Sequence, residues 1–263
     1  MGVVNLTPDS FSGDGLAGNP AAAAALAARF TAEGADLIDV GAESSRPGAA
    51  ELAPETELER LMPALQAIRC ATTLPIFVDT YHAEVAEAAL AAGADGINDI
   101  HGLRRDPAMA RVAAARGVPV VAMHNQRGRQ AEDVIAGIAE GFRETLAEAV
   151  RAGIDPGNLV LDPGFGFGWE PHQNLEMVRR LPELHGFGLP LLLGVSRKST
   201  IGLVLGLPVD QRLEGTAALV ALAIAGGADI VRVHDVLAMR RVAAVADATV
   251  RGRWRAGPDG GRG

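Results

Sequence analysis

The chain has a single cysteine, Cys70, so it can form no internal disulfide, and a reducing cytoplasm is the expected compartment. Aromatic residues are scarce, at 4% of 263 residues, too few for a platform on which nucleic-acid bases stack. Positive charge is in deficit: 24 Lys and Arg face 32 Asp and Glu, a net charge of −8, and no long basic run occurs. Nucleic-acid and membrane-surface partners are therefore not expected, although a local cationic pocket is compatible with this balance. Long apolar runs are missing too, because charges interrupt the alanine-rich stretches every few residues, which excludes an evident membrane span. Met1 leads straight into a strand-like segment, so no signal peptide is expected.

Several catalytic signatures are also absent. There is no GxxxxGK[ST] phosphate loop and no HExxH zinc pair, and scattered histidines with one cysteine argue against a zinc centre. The stretch GFGFG at 164–168 is not a dinucleotide fingerprint, since its third glycine would fall at Trp169. No Ser–His–Asp or Cys–His pairing is evident, so a covalent intermediate is not indicated.

What the sequence does have is a strict alternation. Strand-like runs at 2–6, 36–40, 75–78, 96–100, 118–123, 159–161, 189–195 and 229–233 alternate with helical runs at 21–33, 55–69, 82–92, 106–116, 131–152, 173–181, 211–225 and 236–249. Eight βα units in this length predict an α/β fold, a single-domain (β/α)8 TIM barrel over residues 1–250, with 251–263 as a disordered tail. Gly34, Gly93, Gly117, Gly153 and Gly227 are expected to end helices, and Asp106 to cap one with Pro107 in its first turn. Four of the five residues at 189–193 are Leu, too apolar for a strand with one wet face. The first strand begins at residue 2, so the usual N-terminal hairpin is lacking; either the barrel floor is open or the start lies upstream.

In such a barrel the active site lies at the C-terminal strand ends, and here these are polar. They offer Asn5, Glu43, Asp79, Asn98 with Asp99, His124, Asp162, Lys198, and Arg232 with His234. The run LLLGVSRKST at 191–200 turns abruptly from buried strand to cations and hydroxyls, which cost burial energy unless they meet a ligand or partner. Asp79, Asn98 and Asp162 could hold a flat heterocycle by its amide and amino edges. Arg46, Arg232 and His234 suit a diphosphate or a carboxylate. Asn5 is a neutral oxygen donor of the type that holds a hydrated Mg2+.

These motifs resemble dihydropteroate synthase, the folate-pathway family inhibited by sulfonamides. The matching stretches are MGVVNLTPDSFS, IDVGAESSRPGA, IFVDTYHAEVA, GINDI, VAMHNQ, LDPGFGFG, LLLGVSRKSTIG and VRVHDV, in order from residue 1 to about residue 236. The resemblance implies condensation of 6-hydroxymethyl-7,8-dihydropterin diphosphate with 4-aminobenzoate, giving 7,8-dihydropteroate and pyrophosphate by an SN1-like, Mg2+-assisted displacement. It implies that Asp79, Asn98, Asp162 and Lys198 hold the pterin and that Asn5 ligates Mg2+. Thr7, Asp9, Arg46, Arg232 and His234 would take the diphosphate. Phe11, Ser45, Pro47, Phe167 and Ser199 would line the aminobenzoate site. Asp79, Lys198 and Arg46 would carry the catalysis, and the chain would be a homodimer. Trp169 stands where the family usually has Lys, and Ser45 where it often has Thr. A methyltetrahydrofolate:corrinoid methyltransferase and a non-catalytic pterin-binding paralogue are the alternatives; Lys198, Ser199 and the SSRPG loop argue against the first.

Overall fold

The structure is a computed structural model that describes residues 1–7, 15–46 and 48–252. Eight parallel strands form its centre: β1 (Gly2–Asn5), β2 (Ile38–Gly41), β3 (Ile76–Asp79), β4 (Gly96–Asp99), β5 (Val120–Met123), β6 (Leu159–Asp162), β7 (Leu192–Leu193) and β8 (Ile230–Val231). Strands β1 to β6 are hydrogen-bonded in chain order, and β7 pairs with β8. Isolated bridges Leu161↔Leu191 and Gly2↔Val233 join the two sheets at both seams and close the ring. The TIM barrel anticipated from the alternation is thus the fold.

Register explains why these strands are apolar on both faces. Val4, Val40, Val78, Ile97, Val120 and Leu159 are ladder partners across five successive pairings, and all are fully buried against the helices. Their neighbours in sequence point the other way, into the lumen, because strand side chains alternate. At the N-terminal end the lumen is filled by Met1, Phe77, Val121 and Leu192, with Leu37, Val160 and Ile230 packed on them. This layer packs the barrel floor. Gly96 makes room for it: a Cβ there would lie 2.6 Å from the Phe77 ring. Each fully buried Leu or Ile contributes roughly 1.5–3 kcal/mol relative to exposure.

The surrounding helices are α1 (Pro20–Ala32), α2 (Pro54–Ala71), α3 (Ala83–Ala91), α4 (Met109–Arg116), α5 (Val134–Ala152), α6 (Pro171–Arg179), α7 (Ser199–Leu205), α8 (Leu213–Ala225) and α9 (Val236–Arg251). Helix α1 starts where Asn19 Oδ1 accepts hydrogen bonds from the N–H groups of Ala21 and Ala22 at 3.1 and 3.2 Å. The expected terminal glycines all have positive φ, between 62° at Gly117 and 104° at Gly93.

Three expectations are corrected. Helix α4 begins at Met109, not at 106, because Asp106 spends its carboxylate on the N–H groups of Ala108 and Ala83, both at 2.8 Å. The alternation is not strict: α7 follows β7 and precedes α8, so nine α-helices occur among the described residues. Only Thr200, Ile201 and Gly202 of α7 are buried, which left no periodic apolar stripe to read. The seventh strand is laddered only at Leu192 and Leu193, since the chain must leave the sheet to form the polar turn that follows. Helix α9 ends at Arg251, and residues 253–263, most of the expected tail, lie outside the described residues.

Candidate active site

Lumen-facing side chains at the C-terminal end of the strands converge on one cavity of about 110 Å3. Its wall includes Asn5 from β1, Ser45 and Arg46 after β2, Asp79 from β3, Phe167 after β6, Lys198 after β7, and Arg232 and His234 after β8. All of these were expected from the sequence. Asn98 and Asp162 are buried, with 4% and 7% of their surface exposed, and neither is part of the cavity wall. Thr7 is buried beside Asn5, with its N–H and hydroxyl donating to Asn5 Oδ1 at 3.1 and 2.8 Å. Ser199 is exposed in the first turn of α7 and is not part of the wall. Asp9, Phe11 and Pro47 lie outside the described residues.

The residue that strand-end reasoning overlooks is Asp39. It sits in mid-strand in β2, fully buried, and accepts from Arg232 Nε at 2.7 Å and Asn98 Nδ2 at 3.1 Å. Arg232 also donates to Asp79 Oδ2 at 2.9 Å. One guanidinium thus ties two carboxylates and, through Asp39, an amide into a network spanning β2, β3, β4 and β8. The signal available in sequence was an acid inside an apolar strand, LIDVG, which is costly without a buried partner.

Burial sets the electrostatics. It pushes the Asp79 carboxyl up to about 8, aided by Asp39 and opposed by Arg232. It pushes Asp162 up to about 6, against the stabilising Gly164 N–H bond at 2.8 Å and the nearby Lys198. It brings the Lys198 ammonium down to about 7, with Asp162 as the main opposing influence. Lys198 donates to the Phe165 carbonyl at 2.7 Å, and its ammonium lies 4.3 Å from the centroid of the Phe167 ring. Gly166 permits this: φ is +83°, and a Cβ there would sit 2.8 Å from Lys198 Cδ.

Ser196 and Arg197 hold the turn in place. Arg197, at φ 55°, donates to both oxygens of Asp235 at 3.0 and 2.6 Å. The buried Ser196 hydroxyl accepts from the His234 N–H at 3.2 Å and lies 2.9 Å from His234 Nδ1. Donating its own proton to Nδ1 would place the imidazole proton on Nε2.

The second loop is anchored separately. Tyr81 hydroxyl donates to Glu43 Oε1 at 2.5 Å, and Leu52 N–H donates to the same oxygen at 3.1 Å. His82 Nδ1 lies 2.8 Å from Glu57 Oε2, whose carboxyl is pushed up by burial. Glu43, Glu57 and His82 offer ligand atoms within 4.8 Å of one another, but these hydrogen bonds already join them to each other or to Tyr81. Trp169 is buried in the main core, 5.7 Å from the His124 ring, rather than on the cavity wall.

A closed parallel barrel with a polar, ion-paired mouth defines a TIM-barrel enzyme, and its class follows from comparison. The family model described as "Pterin binding enzyme" matches residues 1–234. The dihydropteroate synthase of Bacillus subtilis (strain 168) is 45% identical over 248 residues, 94% of this chain and 87% of that protein. A Clostridium difficile dihydropteroate synthase, solved in the presence of pteroic acid, superposes with a TM-score of 0.89 at 42% identity, covering 95% of this chain and 96% of that one. The Xanthomonas albilineans synthase with 4-aminobenzoic acid gives a TM-score of 0.88 at 41% identity, covering 95% and 92%. The chain belongs to the dihydropteroate synthases, transferases of folate biosynthesis.

Proposed function

We propose that the chain joins 6-hydroxymethyl-7,8-dihydropterin diphosphate to 4-aminobenzoate, and that the cavity at the barrel mouth is where this happens. The observation that carries the reading is the joint placement of Asp79, Lys198, Arg232 and His234 around one small cavity, in a chain 45% identical to a dihydropteroate synthase. Asp79, Asn98 and Asp162 hold the amino and amide edge of the pterin, and Lys198 covers it. Arg232, His234, Arg46 and Thr7, with Asp9, receive the diphosphate. The carbon–oxygen bond to diphosphate breaks first, its electron pair leaving with the diphosphate. The aryl amine then attacks the pterin cation and gives up a proton. No strong base is required, because the amine is already nucleophilic. Positioning and charge stabilisation supply the catalysis.

Asp79 and Asp162, when ionised, favour the cationic pterin. Arg232 is held positive by Asp39 and Asp79, and Ser196 orients the His234 imidazole towards the leaving group. Phe167, Ser45, Pro47, Phe11 and Ser199 form the aminobenzoate side. Asn5 is a neutral oxygen donor on the cavity wall of the type that holds Mg2+, and its Oδ1, which accepts from the Thr7 N–H and hydroxyl, would release at least one of these bonds to take the ion. Bound there, the ion would neutralise charge on the departing diphosphate.

We also propose a homodimer. Leu203, Val204 and Leu205 on α7, Leu222 on α8, and Leu237 and Val245 on α9 are exposed apolar side chains on neighbouring helices. Among the described residues no helix is long and apolar enough to cross a membrane. With the free Cys70, a cytoplasmic location is part of the same reading.

The test is incubation with Mg2+, the pterin diphosphate and 4-aminobenzoate, measuring dihydropteroate and pyrophosphate together. Equal amounts of both are expected. Pterin binding without either product would sink the reading.

A further inference from the structure

On the far side of the second loop lies a groove of about 580 Å3 that the proposed chemistry does not use. This is the size of a small-molecule site. It shares Glu43, Ser44, Ser45 and Arg46 with the reaction cavity, so the two are separated by one loop. Five arginines line it: Arg46, Arg104, Arg105, Arg127 and Arg129.

Carboxylates are fewer there. Glu144 accepts from both Arg104 and Arg129, at 2.5 and 2.7 Å, and Glu51 accepts from Arg105 at 2.6 Å. Glu43 is engaged by Tyr81 at 2.5 Å. Arg127 is half-buried against the Ser45 carbonyl at 2.7 Å and the Phe167 ring at 4.8 Å, neither of which carries charge. Arg46 is exposed on the wall common to both cavities. The groove is therefore locally cationic in a chain of net charge −8. His101 on its wall responds to that field: burial, then Arg105, Arg104 and Arg127, hold its imidazole down to about 4.

We propose that this groove is a second anion site, taking a small phosphate-type polyanion, with inorganic diphosphate as its ligand in this reaction. The assignment of diphosphate rests on the synthase reading above; the cationic groove does not. Arginine forks match phosphate oxygens bidentately, and a half-buried cation facing a neutral carbonyl and a ring gains from an incoming anion. Arg46 stands on both walls, so an anion leaving the reaction cavity meets it before the other four.

The experiment is calorimetric titration of the full chain with inorganic diphosphate, repeated on Arg105→Gln and Arg127→Gln. Arg105 sits in an exposed ion pair, and among the described residues Arg127 leaves no carboxylate unpaired when removed, so both variants are expected to keep the wild-type melting temperature. The wild type is expected to bind an equivalent of diphosphate beyond the one taken by the reaction cavity, and each variant is expected to weaken that additional equivalent by about tenfold or more. Additional binding that is unchanged in both folded variants, or no additional equivalent in the wild type, overturns the proposal. The titration contains no aminobenzoate and needs no turnover. Failure of the synthase reading would show instead as absent dihydropteroate in the product assay.

Discussion

Arg232 and Asp39, 193 residues apart in the chain, meet inside the barrel with guanidinium Nε 2.7 Å from carboxylate Oδ2. Asp39 is fully buried, so this pair is not a surface ornament: an unpaired charge at that depth would cost several kcal/mol. The pair also explains how a cation can stand at the mouth of an apolar barrel without collapsing onto its walls. Asp79 Oδ2 accepts from the same guanidinium at 2.9 Å, through the Nη2 that also faces Asp39, so the two carboxylates hold it together.

Asp39→Ala is accordingly expected to destabilise the protein by about 3–5 kcal/mol, read from urea denaturation, because it leaves Arg232 short of a buried partner. Asp39→Asn, which can still accept from Arg232 and bond Asn98, should lose less. Equal losses for the two would mean that the charge, which both substitutions remove, accounts for the whole effect, and that the hydrogen bonds and packing kept by Asn contribute nothing.

Asp79 makes stability depend on pH. Its carboxyl ionises near 3.8 in an unfolded chain and at about 8 in the ligand-free fold. Between those values the folded state holds more protons, so this contribution is complete at the acid end and is lost as pH rises through 8. Asp79→Asn removes that slope. The melting temperature of the variant minus that of wild type should therefore increase between about pH 5 and about pH 8.5. A constant difference would refute the assignment.

Lys198 is expected to matter in turnover more than in folding. Lys198→Ala should cut the rate on the order of 10²-fold or more, the usual loss for one preorganised charged donor. Its ammonium loses its proton at about 7 before substrate binds, so the wild-type kcat/KM for the pterin diphosphate should decline above that pH. Near-normal rates in the variant would make Lys198 a structural charge.

Gly166 is expected to tolerate no side chain. At φ +83° a Cβ is strained, and it would lie 2.8 Å from Lys198 Cδ. Gly166→Ala should cost about 1–3 kcal/mol and displace the lysine, so activity falls together with melting temperature. A variant with wild-type kinetics would show that Lys198 reaches its position by another route.

Tyr81→Phe removes the hydroxyl that Glu43 accepts at 2.5 Å. The second loop, which carries Ser45 and Arg46, should then exchange amide hydrogens faster over residues 43–52, with melting temperature lowered by the loss of about 1–3 kcal/mol. Unchanged exchange there would place the anchor elsewhere, with the Arg105–Glu51 pair at 2.6 Å as the next candidate.

Much of this was legible in the chain itself. Eight apolar runs spaced by helices predict a barrel because parallel strands need covered faces and crossovers, and glycines with positive φ stand where the helices stop. The polar strand ends Asn5, Asp79, Lys198 and His234 were visible because a charged or amide group ending a buried strand has no other physical excuse. The sequence could not show what meets what. Asp39 looks like an isolated acid in an apolar strand until β8 closes against β1 and delivers Arg232 to it, a contact set by the ring and not by any local preference. Ser199 looks equivalent to Lys198 in SRKST, yet α7 starts between them, sending one side chain to solvent and the other over Phe167. The sequence by itself determined the period, the turns and the kinds of groups at the barrel mouth, since these depend on neighbours along the chain. Only the tertiary structure decided their pairings and protonation, because burial and partner distance arise from strands that are far apart in sequence.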